Sequence, residues 1–300
     1  MSTYLLLRQW TEARLEGKAL GWLKEAVREI GEGSSSVRFA GLYARASRFA
    51  RSTGLELNDK ELRAAGQAIE GWSPERWTLR DAVRGALLLS RPDLTEEAGA
   101  VVVEDVFRYA DVGETIALCR SLALLPEPGR FVGRAREGCR SNMRSVFEAT
   151  ALDTPYPFAH FDDGAWNQLV IKCVFLEAPL WRLYGLDQRL SKELARMALD
   201  LVEERRSAGR TVQPELWLAL GEHAGKRGLA ALSMELAEEN PHRDGRRAAA
   251  LGLARADAHK RLKRALDDEK DELVRETIAA ALDGPVTQEA FRVLDQERAS

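Results

Sequence analysis

An all-α fold of stacked helical hairpins, with no β-sheet, is predicted by three observations. Apolar residues recur at helical spacing almost throughout, as at Leu20, Leu23, Val27 and Ile30 and again at Leu194, Met197, Leu201 and Val202. No stretch sustains the alternation of a half-buried strand. The ten prolines, from Pro74 to Pro285, cut the chain into pieces of one or two helices each.

The elements follow in order from that punctuation. Helices are expected over 3–15, 19–31, 36–52 and 59–70 before Pro74, and over 78–90 before Pro92. Segments 94–110 and 112–124 run to Pro126, 128–140 and 142–152 to Pro155, and 162–177 to Pro179. The helix over 191–207 is stopped by Gly209, and the next runs over 214–222 from Pro214. Pro241 closes 227–239, and 244–255, 258–268 and 270–283 precede Pro285, with a last helix over 286–297.

The 300 residues suffice for one large core or two ordinary domains. Hydrophobic residues at 45% and charged residues at 30%, without a low-complexity tract, belong to a soluble globular chain. With 44 basic and 47 acidic residues there is no general attraction to nucleic acid or anionic membranes, so any anion site must be local. Cys119, Cys139 and Cys173 are odd in number and far apart, which suggests reduced, buried thiols. The apolar run near Met1 is too short for a secretory signal, and Leu169 to Trp181 is broken by Lys172, Glu177 and Pro179 before it could span a bilayer. A cytoplasmic protein without a membrane span is expected.

Two alanine-rich phrases stand out. Asp244 to Ala254 is followed by Leu262, Ala265, Leu266 and the acidic pair Asp267 and Asp268, then by Leu273 to Leu282 with its Val274-Arg275 pair. Leu79 to Leu89 carries a weaker version. Small residues let helix axes approach, and stacking buries stripes that one hairpin cannot bury alone. These phrases resemble HEAT-type repeats, which implies an α-α superhelix, a HEAT-like solenoid.

The helix expected from Asp162 is the main candidate for a site. Trp166, Leu169, Val170, Cys173 and Val174 form one apolar face, which Ile171 and Phe175 extend nearly all round, so the helix is expected to be central. Asp163 and Asn167 form one polar row, Gln168 and Lys172 its neighbour. These side chains either line a small-molecule pocket, with Lys172 as an anion clamp, or form a narrow solvated stripe. Asp162 and Asp163 suit an N-cap, and paired carboxylates for acid–base or metal chemistry stay open if Glu148 or Asp187 folds nearby. Tyr156, between Pro155 and Pro157, is expected on a stiff extended connection, walling a pocket or covering a helix end.

Arg136, Arg140 and Arg144 share i, i+4 spacing and are anion-binding candidates, though Glu127 and Glu137 interrupt the basic run and favour a solvated face. The spacing of His160, His223, His242 and His259 matches no metal pattern, and no phosphate loop, GxSxG elbow or Cys–His signature is present. No metal site or cofactor is expected.

The block from Ala110 to Trp217 resembles the EboA family. The resemblance rests on Asp111-Val112-Gly113-Glu114, Leu124-Leu125-Pro126, Arg134 to Gly138, Asn142, Val146 to Ala149 and Pro155-Tyr156-Pro157. It continues through Phe161-Asp162, Ala165 to Gln168, Lys172, Gly185-Leu186-Asp187, Arg189, Glu193 to Met197, Ala208-Gly209-Arg210 and Pro214 to Trp217. It implies a bacterial gene cluster that makes or exports a small secondary metabolite. Partners implied are proteins of that pathway, and the family name brings no catalytic residues. Three regions are expected: 1–110, the signature region 111–217, and HEAT-like helices over 218–300. The ligand-binding candidates are Glu148, Tyr156, Asp162, Trp166, Asn167, Lys172, Asp187 and Arg189. The favoured role is a helical binding or adaptor component, holding a partner enzyme or a metabolite. The alternative is an enzyme acting on a small anionic or isoprenoid-like metabolite.

Overall fold

Helix starts in this chain are set by side chains that accept from first-turn amides left without a partner. In the computed structural model, which describes residues 2–237 and 239–296, Ser2, Ser35, Asn58, Thr78, Asp111, Asp162, Ser191 and Asp271 all act in this way. Asn58, Thr78 and Asp111 form capping boxes with Glu61, Asp81 and Glu114. The fold is all-α, with no strand among the described residues and an isolated bridge between Gly54 and Thr78. The chain divides into two units, Met1–Phe161 and Asp162–Ser300.

The first unit contains α1 (Thr3–Arg14), α2 (Gly17–Gly31), α3 (Ser36–Phe49), α4 (Asp59–Ala68) and α5 (Leu79–Leu89). It continues with α6 (Glu97–Tyr109), α7 (Val112–Ser121), α8 (Val132–Arg140), α9 (Arg144–Ala151) and α10 (Tyr156–His160). Helix α5 lies at its centre, buried from Asp81 to Leu88 and packed on α1, α2, α3 and α7. Gly85 permits this: a Cβ there would sit 2.9 Å from Leu7 Cδ1. Trp10, Trp72 and Trp77 form a run of ring contacts beside α5, at 5.7 and 5.9 Å between centroids. Each such ring contributes about 4–6 kcal/mol of transfer free energy.

The second unit contains α11 (Asp163–Phe175), α12 (Lys192–Ser207), α13 (Gly225–Leu236), α14 (Arg243–Arg255), α15 (His259–Asp268), α16 (Glu272–Asp283) and α17 (Val293–Gln296). Helix α14 is its centre, buried from Gly245 to Leu253 and packed on α13, α15, α16 and the 3-10 segment Pro214–Ala219. A Cβ at Gly252 would meet Leu232 Cδ2 at 2.7 Å. The two alanine-rich phrases of the sequence are thus the central helices of the two units, because small side chains admit neighbours on every side.

Several expectations are corrected. Helix α11 is not the centre of its unit: its large residues pack on one side, while Phe175 is 70 % exposed. Tyr156–His160 is helical rather than extended, with Pro155 at its N-cap, since proline in a first turn, as at Pro157, surrenders only an amide that has no helical acceptor. The segment 214–222 is 3-10 rather than α, with Glu215 to Gly221 buried throughout, so packing overrides the amphipathic period. The chain near its end is a 3-10 turn, Gln288–Arg292, before α17. All three cysteines are free and buried, as their composition suggested.

Candidate functional site

The helix that carries the polar rows begins with an acidic cap. Asp162 accepts from the Ala165 amide at 2.8 Å, so this carboxylate serves the first turn of α11. Asp163 projects outward and receives Arg189 Nη2 at 2.9 Å. The Arg189 guanidinium also lies over the Trp166 ring, 4.6 Å from its centroid. Trp166 is buried, so its face supports a cation held on the other side by Asp163. Three of the expected residues, Asp162, Trp166 and Arg189, therefore meet at the N-terminal end of α11, joined by Asp163.

One turn further, the polar rows separate. Gln168 is exposed, and Lys172 is half-buried in the last turn, where a cation suits the helix dipole and where it has an interaction of its own. Asn167 is only 6 % exposed, and its Oδ1 has no hydrogen-bond partner. An acceptor buried without a donor costs about 1–3 kcal/mol. Asn167 is the residue of the two rows whose bonding capacity the fold leaves unmet.

Asp187, the next candidate, is held by distant partners. Arg255 Nη2 donates to it at 2.6 Å and the Gln288 amide at 2.9 Å, while Gln288 Nε2 reaches the carbonyls of Trp181 and Leu183 at 2.6 and 2.9 Å. Arg255 and Gln288 lie 68 and 101 positions along the chain, so no local pattern in the sequence could signal them. Asp187 ties the 3-10 turn Asp187–Arg189 to the end of the chain and so positions Arg189.

The candidates in the first unit are also engaged. Glu148 receives Arg144 Nε at 2.6 Å one helical turn away. The Tyr156 hydroxyl donates to the Pro128 carbonyl at 2.5 Å, and its ring rests on His160 at 4.7 Å. Burial raises the Tyr156 hydroxyl well above its ordinary range, so it remains a protonated donor. Burial lowers the His160 imidazole, which keeps that ring neutral. Arg136 and Arg140 belong to α8, whereas Arg144 opens α9 after a break at Ser141 to Met143, so the three do not form one continuous helical row.

No helix of the described residues is long and apolar enough to cross a membrane. Among the described residues no group of three or more His, Cys, Asp or Glu side chains could hold a metal ion. A family model described as "Metabolite traffic protein EboA" matches residues 3–221. The match takes in far more than the 110–217 block that carries the resemblance, and it ends where the C-terminal helices begin. Neither the curated proteins nor the solved structures give a match.

Proposed function

The chain belongs to the EboA family, and we propose that it acts in metabolite traffic as a binding component, holding a small metabolite of its pathway without transforming it. The observation that carries this reading is the division of labour on and around α11. There Asp162 is committed to the cap, Asp163 to Arg189 and Asp187 to Arg255, and in the first unit Glu148 is committed to Arg144. The group with unmet capacity is the Asn167 amide, which orients a ligand but moves no proton at neutral pH. The Arg189 guanidinium, stacked on buried Trp166 and held by Asp163, is the fixed cation that an anionic part of the same molecule would meet at this end of α11. A partner enzyme of the pathway would then receive the cargo from this chain.

Native mass spectrometry of the protein isolated gently from its host tests the reading through Asn167→Leu, which keeps the branched side-chain shape and removes the amide. The variant is expected to fold with equal or higher stability, because an unmet buried acceptor is gone, and to lose the small-molecule adduct that the wild-type chain retains. An adduct kept undiminished by a folded Asn167→Leu chain would remove Asn167 from the binding role. Turnover of a pathway metabolite by the purified chain would favour the enzyme reading instead.

A further inference from the structure

Helix α5 carries a guanidinium in the middle of a fully buried face. Arg84 is 1 % exposed, its Nε has no hydrogen-bond partner, and its ion-pair partner Glu114 stands 3.6 Å away, a loose contact for a buried charge. The guanidinium carbon lies 5.6 Å from the ring centroid of Tyr43. Tyr43 is also 1 % exposed, and its hydroxyl has no partner either. Burial pushes that hydroxyl far above its usual range, so it stays a proton donor at any physiological pH. Two adjacent buried side chains thus hold N–H and O–H donors for which the fold supplies no acceptor, an arrangement that native structures rarely tolerate.

Tyr43 stands at the wall of a cavity, with Arg84 behind it. A space of about 320 Å³ opens between α3, α6 and the start of α7, at the lower end of the range of ligand pockets, about 300–1,000 Å³. Tyr43 and Glu114 line it with Val102 and Val106, and Val37 and Tyr109 at its mouth are 85 % and 80 % exposed. Large apolar side chains so exposed, gathered at the mouth of an apolar cavity, are what a binding site leaves uncovered. The charges around it are balanced, Arg84 facing Glu114 and Asp105 receiving Arg108 at 3.2 Å. Nothing there recruits a charged head group.

We propose that this cavity binds a small uncharged molecule with an apolar body and one oxygen acceptor, a ketone or an alcohol. Its oxygen accepts from the Tyr43 hydroxyl, and its body lies against Val102, Val106 and Tyr109. The volume limits that body to about the size of a small bicyclic ring system. The site lies within Met1–Phe161 and uses nothing of α11, so it stands or falls independently of Asn167.

The test is a fluorescence titration of the full chain with the uncharged naphthyl ketone prodan, whose emission moves to the blue on leaving water. Saturable, blue-shifted binding is expected, unaffected by Asn167→Leu. Ala40→Phe fills an exposed wall of the cavity and is expected to weaken binding at least about tenfold. Tyr43→Phe removes one hydrogen bond and is expected to weaken it about three- to tenfold while melting no lower than wild type. The proposal is overturned by the absence of saturable binding, or by Ala40→Phe or Tyr43→Phe binding as tightly as wild type. Tyr43→Phe melting well below wild type would give the hydroxyl a structural partner and overturn its role as ligand donor. Displacement of prodan by an anionic naphthalene sulfonate in preference to a neutral naphthyl alcohol would overturn the uncharged class.

Discussion

Helix α5 carries two buried ion pairs, and their geometry predicts opposite responses to truncation. Asp81 accepts from the Thr78 amide at 2.9 Å, from the Thr78 hydroxyl at 2.6 Å and from Arg120. Asp81→Ala strips three donors of their acceptor in the middle of the first unit. Breaking a buried, hydrogen-bonded pair costs about 3–5 kcal/mol. Arg120 keeps 21 % of its side-chain exposure and recovers some hydration, which places the loss near 3 kcal/mol, the lower end of that range. Arg84 differs, because its Nε is unmet and its carboxylate is 3.6 Å away. Arg84→Met relieves an unmet donor worth about 1–3 kcal/mol and loses a cation–π contact worth about 1 kcal/mol, leaving a net change of about 0 to +2 kcal/mol. Glu114 keeps a partner in the Asp111 amide at 3.0 Å. Urea unfolding followed by circular dichroism reads both variants. Hydrogen exchange on α5 peptides assigns the change to the first unit, since a chain of two units need not unfold in one step. Loss of more than about 2 kcal/mol in Arg84→Met would make the guanidinium an anchor of the fold rather than a group held against stability, contrary to this expectation.

Three further outcomes are expected. Gly138→Ala would drive a Cβ into the Thr150 side chain between α8 and α9, lowering stability by about 1–3 kcal/mol, and adding Thr150→Ala is expected to recover much of it in a double-mutant cycle. His160 has its imidazole lowered by burial, so its contribution to stability is complete above about pH 6.5 and is lost as the pH falls through the lower folded value. Thermal melts across that range should show the fall, and His160→Phe should flatten it. The Cys119 thiol is pushed up to about 11 by burial, and all three cysteines are buried. Iodoacetamide at pH 8 should therefore label the native chain only at the rate of unfolding, and rapid stoichiometric labelling would contradict the packing around Cys119.

Much of the architecture is legible in the sequence because helices here announce themselves by local chemistry. The apolar stripes of α2 and α12 mark their cores, Asp162 and Ser191 mark two starts, and Gly209, at φ +65°, marks a stop. The alanine-rich phrases mark the two central helices. What failed was where packing or exact turn position decides. Pro155 and Pro157 read as an extended linker, yet Pro155 fits the N-cap and Pro157 the first turn of a short helix, and the 3-10 geometry of Pro214–Ala219 follows from burial on all sides. At the candidate site, the Asp162 cap is local and readable, whereas the grip of Arg255 and Gln288 on Asp187 is not. A polar group in an apolar helix, the signal that singles out α11, also occurs at Arg84 between Val83 and Gly85. That phrase reads as a packing repeat, which hides the unmet guanidinium in it.

We propose that the chain binds a metabolite and leaves it unchanged. The most direct test is to incubate the purified full chain with the small-molecule extract of its host and follow bound and free species over time by mass spectrometry. A stoichiometric bound molecule, released intact on denaturation with no product accumulating, is expected. A product that grows with time and enzyme concentration, or a chain that retains nothing, would contradict it.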